Sequence, residues 1–152
     1  MADLNGNSEA RIGWGSEFWL ANDAGVLTEL GEVTGLPFAD EVADDVEVTH
    51  FKSPGRRKEY KAGLIEPGDA TLELNYLPGS ATDALLRAAH LDGKVRAYRT
   101  LIPAAEDGEM WQIDGFLYVK SRPRTVPIGD RMTMQVNVKF TGAVTEAEAV
   151  EA

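Results

Sequence analysis

Cysteine is absent from the 152 residues. That removes disulfides, thiolate nucleophiles and cysteine metal sites together, so the fold should be indifferent to redox conditions. Histidine is nearly absent: His50 and His90 are too few for most histidine-rich metal sites. No apolar run is long enough to span a bilayer, and Met1 to Ala10 is polar and acidic, without the apolar stretch of a signal peptide. Synthesis and first folding in the cytoplasm, with no membrane partner, are therefore expected. Basic charge is scarce as well. Fifteen Lys and Arg against 25 Asp and Glu give a formal charge of −10, which argues against tight binding to nucleic acid. It does not argue against a surface past which nucleic acid slides.

The motif inventory for enzymes is empty: no G-x-S-x-G, no P-loop and no dinucleotide fingerprint. Gly31 to Gly35 lacks the Lys-Ser/Thr of a phosphate loop and opens no helix. Acidic pairs such as Asp40-Glu41 and Asp44-Asp45 read as a solvated face, because such residues are rarely buried. No catalytic residue, cofactor or metal site is expected.

What is present is β structure. In Arg131 to Phe140, Met132, Met134, Val136, Val138 and Phe140 alternate with polar residues, which predicts a strand with one buried face. Met110 to Lys120 alternates too, with Trp111, Ile113, Leu117 and Val119 on one side. Gly129-Asp130 supplies turn chemistry between these strands. Leu72, Leu74 and Tyr76 mark another strand, Val46 and Val48 a further one, and Lys94 to Ile102 is β-rich. Arg11 to Leu20 and Leu27 to Phe38 read as strands broken by glycines. One helix stands out: Ser80 or Thr82 caps it, Asp83 suits its positive end, Ala84 to His90 is Ala/Leu-rich, and Gly93 ends it. The expected architecture is mainly β, a β-sandwich or partly open barrel with one short flanking helix, in a single domain over residues 11–142. Residues 1–10 read as a polar arm and 143–152 as an acidic tail.

The least typical segment is Lys52 to Lys61, where five of the chain's 15 basic residues fall in ten positions of an acidic protein. It reads as a solvated hairpin tip turning at Pro54-Gly55, as a basic loop made to meet acidic surface on another copy, or, against the net charge, as a nucleic-acid patch. Opposite charges at two ends of one subunit favour head-to-tail contact, which closes into rings or extends into filaments.

The order of residues along most of the chain resembles a family. Val46-Glu-Val-Thr-His-Phe51-Lys-Ser53 leads through a Gly-containing loop to Glu59-Tyr60 and Gly63-Leu64. Pro67-Gly68-Asp69, Asn75-Tyr76, Pro78-Gly79 and the helix with Leu85-Leu86 come next. Ile113-Asp-Gly115-Phe116, Gly129-Asp130 and Val136 to Phe140 with Thr141-Gly142 complete the set. Over residues 11–142 this is similar to the tail tube (major tail) proteins of long-tailed, non-contractile phages and of gene transfer agents. The resemblance implies hexameric rings of identical subunits, with strands joined into a continuous inner β-barrel, stacked into a tube whose lumen conducts DNA. It implies a virion-tail location after assembly in the host cytoplasm. The implied partners are further copies of the chain, a tail-tip initiator, tape-measure and terminator proteins, and DNA bound without sequence specificity. Lys52, Arg56, Arg57, Lys58, Tyr60 and Lys61 fall where such proteins carry an inter-ring stacking loop. Tubes of type VI secretion systems share the fold. The reading from a different class is a monomeric ligand- or carbohydrate-binding β domain with Trp14, Trp19 and Trp111 as stacking platforms.

Overall fold

The alternation at the C-terminal end produces the longest strand of the molecule. The computed structural model describes residues 12–104 and 109–148. Its elements are β1 (Glu17–Ala21), β2 (Leu27–Glu29), β3 (Val33–Gly35), β4 (Val42–Glu47), β5 (Tyr60–Glu66), β6 (Asp69–Asn75), α1 (Ala81–Asp92), β7 (Arg96–Pro103), β8 (Met110–Ser121), β9 (Arg124–Thr125) and β10 (Thr133–Glu148). One sheet runs β2-β1-β7-β8-β10-β6-β3, with β9 on β10, while β4 and β5 form a separate two-stranded sheet. All pairings are antiparallel. The chain is mainly β with one short helix, as its residues suggest, and takes the partly open barrel form of the two forms expected.

A distance argument shows why the sheet must curl. β2 and β3 are its two edges, yet only Leu30, Gly31 and Glu32 separate them in sequence. Laid flat, seven strands would set those edges roughly 29 Å apart, at about 4.8 Å per strand. The link from Glu29 to Val33 reaches at most about 14 Å. The sheet therefore bends until its rims approach each other. The link is stitched to both sides: Leu30 N–H donates to Phe18 O of β1 at 2.9 Å, and Asn75 N–H of β6 donates to Glu32 O at 3.0 Å.

Inside the curl lies one apolar core. Phe18, Leu20, Leu72, Leu74, Tyr98, Leu117, Val119, Met134, Val136, Val138 and Phe140 are buried, all from the inward positions of their strands. Helix α1 closes the open side by placing Leu86 and Ala89 in the same cluster. Its ends follow the expected chemistry. Ser80 Oγ accepts from Asp83 N–H at 3.2 Å, Gly79 N–H donates back to Asp83 Oδ2 at 3.1 Å, and Gly93 ends the helix at φ 63°.

One boundary differs from the sequence reading. The domain was expected to end at residue 142, but β10 continues to Glu148. At Gly142 (φ 75°) the strand kinks, the register shifts, and Thr145 to Glu148 pair again with Asp114 to Trp111 of β8. Backbone pairing carries this extension. Its side chains are mostly exposed, so no apolar alternation was required. The expected arm at 1–10 and residues 149–152 of the expected tail lie outside the described residues.

Candidate assembly surfaces

β4 and β5 leave the main sheet as a hairpin, and this hairpin carries all six residues expected at the stacking loop. Every residue of β4 is exposed, and so is every residue of β5 except Gly63. Val42, Val46, Tyr60, Leu64 and Ile65 present apolar surface to solvent, and Leu64 is 84% exposed. A two-stranded hairpin alone in water is marginally stable. Apolar side chains on both legs of a detached hairpin mark a surface made to be covered.

The tip is ordered by a small polar network. Ser53 Oγ accepts from His50 N–H at 2.9 Å and donates to Glu59 Oε2 at 2.7 Å. Glu59 N–H donates to Thr49 Oγ1 at 2.8 Å, and His50 Nε2 lies 3.3 Å from Glu59 Oε2. The chain turns at Pro54-Gly55-Arg56, with Gly55 at φ 64° and Arg56 at φ 57°; glycine suits the first of these, and Arg56 holds a conformation that side chains rarely adopt. Lys52, Arg56, Arg57 and Lys58 lie on this tip, and Tyr60 and Lys61 open β5. None of the five cations forms an ion pair among the described residues. Phe51, beside them, is fully exposed. His50 stands in the loop after β4.

Carboxylates gather elsewhere. Glu17 on β1 and Glu29 on the β2 edge hydrogen-bond each other. Burial first, then that bond and the repulsion between the two, holds the Glu17 carboxyl above its ordinary value. Asp44, Asp45 and Glu47 line β4.

The outward face of the main sheet is polar and cross-linked. Thr71 Oγ1 donates to Asn137 Oδ1 at 2.8 Å, and Asn137 Nδ2 donates to Ser121 Oγ at 2.8 Å. Gln112 Nε2 donates to Asp114 Oδ2 at 2.6 Å, and Gln135 Nε2 reaches Glu73 Oε1 at 3.4 Å. Sequence reasoning placed the alternation of these strands correctly, but it could not join residues from different strands into a mesh.

One charged cluster is structural. Arg96 is buried on β7, donating to Ala21 O at 2.9 Å, Asp23 Oδ1 at 2.5 Å and Asp92 Oδ2 at 2.7 Å. Burial works to lower its pKa, and the two carboxylates outweigh it, so the guanidinium sits higher than usual. The Lys94 N–H, then Arg96, holds Asp92 below its ordinary value. This cluster ties the β1–β2 turn to the end of α1. Arg96 breaks the apolar alternation of β7 because it occupies an inward position.

The three tryptophans do not converge on one pocket. Trp14 borders a groove with Leu36 and Phe38, Trp19 is half-buried on the outward face of β1, and Trp111 is half-buried on the opposite face of β8. Among the described residues, no group of three or more His, Asp and Glu could hold a metal ion, and no helix is long and apolar enough to cross a membrane.

A family model described as lambda phage tail tube protein matches residues 20–147. No curated protein sequence matches the chain. Among solved structures, the SPP1 tail tube superposes with a TM-score of 0.71 at 13% identity, over 93% of this chain and 81% of that one. The tail of an empty gene transfer agent particle, refined with C6 symmetry, gives 0.70 at 18% identity over 91% and 99%. The sheath–tube complex of an extracellular contractile injection system gives 0.64 at 12%, over 93% and 94%. At such identities these likenesses are ones of fold.

Proposed function

The chain belongs to the lambda phage tail tube protein family, and on that premise we propose that it polymerises as stacked hexameric rings whose bore conducts DNA. Such a protein is a structural subunit and not an enzyme. The observation that carries the reading is the β4–β5 hairpin: detached from the main sheet, apolar on both legs, and tipped by cations without partners. A hairpin of this kind is stable when a second copy covers it. Lys52, Arg56, Arg57, Lys58, Tyr60 and Lys61 form the contact to the next ring, and the acidic surface at Glu17 and Glu29 supplies the opposite charge for head-to-tail stacking. The tube grows from a tail-tip initiator, with length set by a tape-measure protein and growth stopped by a terminator. It is assembled in the host cytoplasm and ends as the tail of a phage or phage-like particle. Residues 1–10 and those beyond 142 gain further contacts on assembly. Protease should then cleave both ends more slowly in tubes than in free subunits, and equal rates would remove that part of the proposal.

The test of the whole is electron microscopy of the pure protein over a concentration series, with and without an initiating tail tip. Rings with six-fold end views and hollow tubes are expected. Arg56→Glu with Arg57→Glu should leave the fold intact by circular dichroism and stop polymerisation beyond single rings. Normal tubes from that variant would remove the stacking role. Monomers at every concentration, even with an initiator, would overturn the tube reading in favour of a monomeric binding domain.

A further inference from the structure

Three cations stand on the outward face of the main sheet, and each is held by a carboxylate. Arg99 Nε donates to Asp114 Oδ1 at 3.0 Å, Lys139 Nζ lies 3.3 Å from Glu66 Oε1, and Lys120 Nζ lies 3.7 Å from Asp69 Oδ2. The pairs join β7 to β8, β10 to β5, and β8 to β6. Every one of the six side chains is at least about one-third exposed, and exposed pairs contribute only about 0–1 kcal/mol each. Stability is thus a weak reason to have three of them. Their effect on the local potential is larger. Among the described residues of β6, β7, β8 and β10, every cation on this face is paired, whereas the five at the hairpin tip are all free.

Helix α1 covers the core side of the sheet, so the face of β6, β10, β8 and β7 turned away from the core is the sheet surface available to border a channel. Each unpaired Lys or Arg on such a surface could take up a phosphate and release its counterions, steepening the salt dependence by about 0.9 per phosphate. Repeated around every ring, a few free cations would hold a polyanion fast. We propose that this face lines the bore and that Asp69, Asp114 and Glu66 mask Lys120, Arg99 and Lys139 from the phosphates of passing nucleic acid. The proposal rests on the tube reading and adds to it which surface meets the cargo and why that surface does not grip.

The test compares tubes of the full chain in three forms. Asp69→Asn/Asp114→Asn/Glu66→Gln removes the masks. Glu32→Gln/Glu41→Gln/Asp130→Asn removes as many carboxylates away from the three pairs, giving the same net charge. Wild type is the third. Short linear double-stranded DNA is sedimented with each at low salt. The unmasked tubes are expected to retain DNA, released by salt, while wild type and the charge-matched control leave it in solution. If the triple variant folds poorly, Asp69→Asn/Glu66→Gln alters only the two most exposed carboxylates and should retain DNA to a lesser degree. Retention no greater than the control's overturns the masking. Placement is read separately, since the chain has no cysteine of its own. Gln135→Cys on the proposed bore face and Arg87→Cys on exposed α1 are reacted with maleimide-coated gold too wide to enter the tube. Gold along the sides of Arg87→Cys tubes and only at the ends of Gln135→Cys tubes is expected. Gold along the sides of Gln135→Cys tubes overturns the bore assignment and leaves the tube standing. Failure of every form, wild type included, to make rings or tubes removes the tube reading and this proposal with it.

Discussion

At the scale of single residues, Tyr98 shows how tightly the core is specified. Its ring stacks on Phe18 at 5.8 Å and meets Phe140 at 5.4 Å. Its third side is Gly115 of β8, where a Cβ would come within 2.9 Å of the ring and the hydroxyl. Glycine is there because the aromatic has nowhere else to go. Gly115→Ala should destabilise the subunit by about 1–3 kcal/mol through overpacking, and thermal melting should fall by roughly 2–4 °C per kcal/mol. Burial first, then the carboxylates of Glu41 and Asp114, pushes the Tyr98 hydroxyl up to about 12 from its ordinary 10. The folded chain thus holds this proton more tightly than the unfolded chain does. The corresponding stability is fully present below pH 10 and is lost as pH climbs from 10 towards 12. Denaturant midpoints of wild type and Tyr98→Phe should keep a constant gap below pH 10, and above it the gap should move in favour of the phenylalanine. None of this was legible beforehand, because Tyr98 and Gly115 are brought together by strand register and each alone is unremarked in its own segment.

At the scale of elements, legibility followed how local the physics was. Helix α1 was readable because its signals sit within a few residues of one another, from Ser80 and Asp83 at one end to Gly93 at the other. Ser80→Ala should cost about 1 kcal/mol, measurable as a lowered melting temperature with the fold unchanged. The inward faces of β8 and β10 were readable for the same reason, since a period of two is a local property. The end of β10 was not, because exposed residues 143–148 are held by backbone pairing with β8 and show no pattern of their own. The hairpin lay between these cases. Alternation at Val46 and Val48 looks the same whether a strand packs on a core or stands free, so its detachment from the sheet could be seen only in three dimensions. The basic tip was legible as composition, and its lack of partners was not.

At the scale of the whole molecule, charge is distributed by position. Among the described residues, cations are free at the hairpin tip and paired on the outward face of β7, β8 and β10, within a chain of formal charge −10. Contacts between such surfaces weaken as the Debye length shrinks from about 10 Å at 0.1 M to about 3 Å at 1 M. The concentration at which tubes first appear by light scattering should therefore rise with added salt. A threshold indifferent to salt would make the apolar legs of the hairpin, and not its tip, the driving contact. The curl of the sheet was the least legible feature, because it depends on which distant strands become neighbours and on how short the connection from β2 to β3 is.

That connection has a mechanical consequence. The rims of the sheet are joined by three residues of continuous chain, and the barrel cannot be pried open without stretching covalent backbone. In a ring pressed from within, outward load would run along the polypeptide itself, as tension runs around the hoop of a cask, and side-chain packing would be spared most of the strain.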